Sequence, residues 1–230
     1  MTPRSKERLR ELQLAFVGKL MASLSHEFKN HLAIIRESSG LIEDLLLLEE
    51  QGQTSDRERY KKIISVIGER VAQAAEMCRF LSGFAHRMDQ PLSSLSVTDV
   101  LQEEIYLLHR FARQKQVDLV SSFAENVPAI FNDPALLQFA VFCIVWPALQ
   151  GLEKDSRIEI AVGRQNGAVE IVVNLEGTRK EPEGTSPWEE LLPEVLHMLG
   201  AAFSRRIGAD GNEVMAVTIS SIKPSDRSDT

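Results

Sequence analysis

Apolar residues recur every three to four positions at Leu20, Leu24, Phe28, Leu32, Ile35, Ile42 and Leu46. That spacing draws one apolar stripe along a helix over residues 20–48. A second stripe, Tyr60, Ile63, Ile64, Ile67, Val71, Ala74, Ala75, Cys78, Leu81 and Phe84, keeps helical spacing to about Met88, where Pro91 stops it. Between them, residues 51–56 read as a loop in which Ser55 or Asp56 caps the second helix. Two long helices with one apolar face each cannot bury those faces alone. The economical solution is a hairpin that dimerises into a four-helix bundle; the other is a monomeric hairpin docked on whatever follows. Leu9, Leu12 and Phe16 give the first helix an amphipathic start that extends the bundle.

The chain has 230 residues, enough for one large or two small domains, with the composition of a soluble globular protein. Residues 1–10 are basic and polar without the apolar core of a signal peptide, and the longest apolar run, residues 139–149, is too short to cross a bilayer. These features predict a cytoplasmic protein with no membrane partner. The whole net charge of −7 comes from residues after Gln90, so the second half offers no basic stripe for nucleic acid, and Arg205-Arg206 reads as solvated surface. Cys78 and Cys143 each lie in an apolar pattern, which makes them small core residues rather than a disulfide or metal pair.

After the hairpin, residues 91–97 read as a serine-rich connector. Thr98 or Asp99 can cap a helix carrying Val100, Leu101, Ile105, Leu108 and Ala112 toward Gln116. Residues 117–123 and 129–131 read as strands, and Pro134 opens a helix that runs to about Leu152. Residues 157–163 and 169–174 alternate as a hairpin around Gln165-Asn166-Gly167. Residues 188–201 read as helix, and a last strand covers 213–220 after the turn Asp210-Gly211-Asn212. The sum is an α+β chain: a helical hairpin domain over 1–90, a linker at 91–97, a two-layer α/β sandwich over 98–222, and a tail at 223–230.

His26 does not lie on the first stripe. It is two residues past Leu24, about 200° round the helix, which puts the imidazole on the wet side with Lys29 and Asn30. A lone surface histidine means little. The run Ser25-His26-Glu27-Phe28-Lys29-Asn30, ending in His31-Leu32, is more specific: it resembles the phosphoacceptor box of two-component sensor histidine kinases, with His31 where that family has proline. The element order after residue 97 resembles the same family's ATP-binding domain, and Asn132-Asp133-Pro134 with Leu137 resembles the entry to its asparagine box.

From there the resemblance thins. The two asparagines that hold Mg²⁺ and phosphates in the family match Cys143 and Pro147, neither of which suits Mg²⁺. The family's adenine-reading aspartate matches Leu175, which cannot accept a hydrogen bond; Gly177 alone survives from the Gly-x-Gly that follows. Its glycine-rich lid is replaced by Glu183-Gly184-Thr185-Ser186-Pro187-Trp188. The three departures together predict a degenerate domain that does not use ATP productively.

What the resemblance then implies is a phosphorelay protein of the histidine phosphotransferase kind. His26 is its phosphoacceptor, exchanging phosphoryl groups with the receiver aspartate of a response regulator. The resemblance gives Glu27 the role of orienting the imidazole or taking its proton and Asn30 that of positioning water for hydrolysis; Lys29, one turn from His26, reads either as offsetting phosphate charge or as a generic surface lysine. The protein would be a homodimer, with Mg²⁺ brought by the receiver and no metal or cofactor bound by this chain. Two alternatives stay open: an ATP-dependent sensor kinase with diverged nucleotide boxes, and a non-catalytic dimeric scaffold that binds response regulators. His31, His86, His109 and His197 lack the context of His26 and read as structural or solvent-facing.

Overall fold

The computed structural model describes residues 3–52, 57–89, 92–180, 184–208 and 212–220. The expected caps Ser55 and Asp56, the helix stop Pro91, Glu183, the first two residues of the 210–212 turn and the tail at 223–230 lie outside the described residues.

Helices α1 (Pro3–Glu50) and α2 (Arg57–Met88) form the hairpin. They run antiparallel, since Phe16 near the start of α1 meets Phe84 near the end of α2, with ring centroids 5.5 Å apart. His31 matters here: a proline at that position would remove an amide from the ladder, and with histidine α1 passes through the box unbroken. The two sequence stripes are treated differently along the hairpin. Near the chain start, Leu9, Phe16, Leu20 and Leu24 of α1 and Met77, Phe80 and Phe84 of α2 are buried in one core with the α/β half. Farther out, Leu32, Leu46, Ile64 and Val71 are exposed within the protomer. Cys78 is exposed as well, against its expected place in the core. It follows Met77, and one residue of helix turns it about 100° away from the buried line of Met77, Phe80 and Phe84.

The predicted connector is not structureless. Its β1 (Ser93–Leu95) pairs antiparallel with β3 (Ile130–Asn132). Ser96, rather than Thr98 or Asp99, then caps α3 (Val97–Lys115), its Oγ accepting the Asp99 N–H at 3.3 Å. Gln116 closes α3 in the left-handed region at φ 55°.

The sheet has the order β2-β4-β5-β7-β6. Strand β2 (Asp118–Phe123) runs parallel to β4 (Arg157–Gln165), while β4, β5 (Ala168–Glu176), β7 (Glu213–Ile219) and β6 (Ala201–Ile207) pair antiparallel. The β4–β5 turn is two residues, Asn166 and Gly167, both at positive φ as a tight hairpin of this hand requires. Strand β6 has no counterpart in the sequence reading, which carried a helix into Ala201. It is an exposed edge strand from Ala202 to Ile207, so no alternation of apolar and polar residues marks it.

The helices α3, α4 (Pro134–Gly151) and α5 (Pro187–Leu199) form the second layer. Asp133 caps α4, accepting the Leu136 N–H at 3.0 Å, with Pro134 in the first turn. Buried Asn132 donates to the carbonyls of Leu199 at 3.0 Å and Ser220 at 3.4 Å, tying the start of α4 to the end of α5. Helix α4 is long and apolar enough, by length and composition, to cross a membrane, yet most of it is buried as the central core element. Phe16 of α1 wedges onto it, 4.4 Å from Phe142 and 5.9 Å from Phe139 between ring centroids. Full burial of one such ring is worth about 1.5–3 kcal/mol.

Candidate functional site

Helix α1 holds Ser25, His26, Lys29 and Asn30 in solvent, while Leu24 on the other side anchors the turn in the core. The Asn30 amide lies one turn on from His26, its Nδ2 3.2 Å from the imidazole Nδ1. The ring is thus engaged at Nδ1, and Nε2 is the nitrogen left to meet a partner. Which amide atom faces the ring follows the tautomer: an N–H donates to a bare Nδ1, and the amide oxygen accepts from Nδ1–H.

Glu27 points elsewhere. Its Oε1 accepts from Arg113 Nη2 of α3 at 2.9 Å. One turn earlier on α3, Arg110 Nη1 donates to the Ser23 carbonyl at 2.6 Å. The two arginines therefore lay α3 along the turn that carries the box. Sequence reasoning missed both, because an i,i+3 arginine pair near a helix end is ordinary and nothing local names the helix it meets. His31, expected to be structural or solvent-facing, lines a polar cavity on the Glu27 side of α1.

Two of the positions expected to mark a nucleotide site, Cys143 and Pro147, lie in the second half of α4. Cys143 is fully buried, and burial first, then the nearby Glu104, pushes its thiol pKa up, so it offers no thiolate. Pro147 sits one turn later inside the same helix. Between them and the first turn of α5, Trp146 stacks on Phe142 at 5.3 Å and Trp188 meets Phe142 edge-on at 5.0 Å. The α5 N-terminus, which in a nucleotide domain would face phosphate, satisfies itself: Ser186 Oγ accepts the Trp188 N–H, and Glu189 accepts the Ser186 N–H at 3.3 Å. Arg179 then bridges Glu213 at 3.0 Å and Glu189 at 3.3 Å, and Arg205 also pairs with Glu213. Leu175 is buried directly across the ladder from Glu213. Gly177, at φ 120°, serves the turn, where a side chain would collide with Ser156.

A helix-borne imidazole box followed by a five-stranded α/β sandwich defines a histidine-kinase-like chain. By sequence and by fold it is similar to sensor histidine kinases. It is 26% identical over 163 residues to the signal transduction histidine-protein kinase AtoS of Escherichia coli (strain K12), a match that covers 70% of this chain and 25% of that relative's length. The catalytic domain of histidine kinase ThkA aligns with a TM-score of 0.50 at 12% identity, covering 57% of this chain and 97% of that one, a likeness of fold. Histidine kinase AdeS of Acinetobacter baumannii aligns over 86% of this chain and 98% of that one, with a TM-score of 0.49 and 11% identity. No family model matches the chain.

Proposed function

We propose that the chain is a two-component phosphotransfer protein in which His26 takes a phosphoryl group from the aspartyl phosphate of a response regulator receiver and returns it to a receiver. The observation that carries this reading is the exposed imidazole of the box, held at Nδ1 by Asn30, which leaves Nε2 as the nitrogen to meet a partner. With the amide oxygen accepting from Nδ1–H, the lone pair is on Nε2. That nitrogen attacks phosphorus; the N–P bond forms as the acyl-phosphate O–P bond breaks, and the receiver carboxylate leaves. The reverse step restores the acyl phosphate. The receiver supplies the Mg²⁺ that neutralises the transferring group, so α1 need contribute only the nucleophile and its positioning.

ATP as the direct donor is disfavoured by four features: a neutral buried thiol at Cys143, Pro147 inside α4, aromatic rings packed against the first turn of α5, and Glu189 and Glu213 already engaged by arginines. Homodimerisation is supported by the apolar residues left exposed on the outer hairpin, Leu32, Leu46, Ile64 and Val71. The test offers the purified chain radiolabelled ATP in one reaction and a phosphorylated receiver in another. Acid-labile label on His26 from the receiver, and not from ATP, is the expected result. Labelling from ATP at a comparable rate would overturn it.

A further inference from the structure

Three helices converge on a cavity of about 360 Å³ that no part of the phosphotransfer reading uses. His31 comes from α1, Arg70 and Gln73 from α2, and Tyr106, His109 and Arg113 from α3, with Glu27 at its edge. All of these side chains are polar, in a region where the neighbouring helix faces are packed with phenylalanine and leucine. Arg70 Nη1 donates to Gln73 at 2.8 Å, but its Nε–H is buried and makes no hydrogen bond within the protein. His31 Nδ1 is likewise buried and unpaired. Polar atoms left so are costly unless a ligand completes them. Among the lining residues the charge is positive, Arg70 and Arg113 against the one carboxylate of Glu27, with Glu76 and Asp118 acting on Tyr106 and His109 from just outside. Consistent with that field, burial first and then Arg113 hold the His109 imidazole below its usual range.

We propose that this cavity binds a phosphate group, free or carried by a small molecule, through Arg70, Arg113, His31 and His109. A planar carboxylate is satisfied by one guanidinium fork, whereas donors arriving from three helices in diverging directions suit the several oxygens of a tetrahedral anion. The site has a built-in consequence. Arg113 also holds Glu27, so an anion that draws its guanidinium inward competes with that carboxylate and loosens α3 from the box. The site stands on the cavity's own geometry and does not require His26 to be a phosphoacceptor.

The test titrates the full chain at low ionic strength with inorganic phosphate and, separately, with phenyl phosphate, following heat and the His31 imidazole resonances, with chloride at matched ionic strength as control. The expected result is saturable binding that chloride does not reproduce, weakened roughly ten-fold or more in both Arg70→Gln and His31→Gln. Both variants should keep the wild-type melting curve. Tighter binding of phenyl phosphate assigns a carried phosphate and tighter binding of inorganic phosphate assigns the free ion; either supports the site. No saturable response at tens of millimolar, or parental affinity retained in either variant, overturns it. Should Arg70→Gln fail to fold, His31→Gln alone decides by the same criterion.

Discussion

Arg113 Nη2 reaches Glu27 Oε1 at 2.9 Å, across 86 residues of sequence, and so places a side chain of the residue 25–30 box in the grip of the α/β half. With Arg110 on the Ser23 carbonyl, this pair makes α3 a reporter of the turn around His26. It also takes Glu27 away from the imidazole it was expected to orient.

The Arg113–Glu27 pair is two-thirds exposed on the arginine side, so its energetic weight is small. Arg113→Ala and Glu27→Ala should each cost less than about 1 kcal/mol, with a coupling of roughly 0.2–1 kcal/mol in a double-mutant cycle by urea unfolding. A coupling near zero would show that α3 does not hold Glu27 in solution.

His26→Ala should abolish phosphotransfer while changing stability by no more than about 0.5 kcal/mol, because the imidazole is exposed and its contact is Asn30 on its own helix. Asn30→Ala should mainly impair hydrolysis of a receiver's phosphate, and the ratio of hydrolysis to transfer is the quantity to measure. A large drop in the His26→Ala melting temperature would contradict this placement.

Phe16 is fully buried and meets Phe84, Phe139 and Phe142. Phe16→Ala leaves a cavity where the hairpin joins α4, and a loss of about 3–5 kcal/mol in chemical denaturation is expected. A cost below about 1 kcal/mol would mean that α1 does not dock there in solution.

Glu104 is fully buried, neither carboxylate oxygen is hydrogen-bonded within the protein, and burial raises its pKa well above the usual carboxylate range. The folded state therefore prefers the protonated acid. Its contribution is fully present below the unfolded-state pKa and is lost as pH rises through the folded-state pKa, at up to about 1.4 kcal/mol per pH unit. Glu104→Gln removes that slope: it should be more stable than the parent at about pH 8, with the gap closing toward about pH 4. Parallel stability–pH curves for the two proteins would refute the assignment.

The exposed outer stripe predicts self-association. Light scattering should give a dimer mass at micromolar concentration, and Leu32→Asp or Val71→Asp should give a monomer without unfolding the α/β half. A monomeric parent at that concentration would remove the homodimer from the proposed function.

The sequence by itself determined the helical hairpin, the helix start at Pro134, the turn at Asn166-Gly167, and the box that sets His26 apart from its apolar stripe. These are local: a 3.6-residue period, a proline in a first turn and a glycine at positive φ need no distant partner. The expectation drawn from Cys143, Pro147 and Leu175 is local in the same way, since it rests on residue type at each position alone. Only the tertiary structure decided which stretch of each stripe is buried within the protomer, that β6 pairs as an edge strand, and that Cys78 faces outward. It alone brought Arg110 and Arg113 to the box and gathered His31, Arg70 and His109 round one cavity. Those outcomes depend on which helix meets which over some 40 to 90 residues of chain. Periodicity shows that a face must be covered, and packing alone selects what covers it.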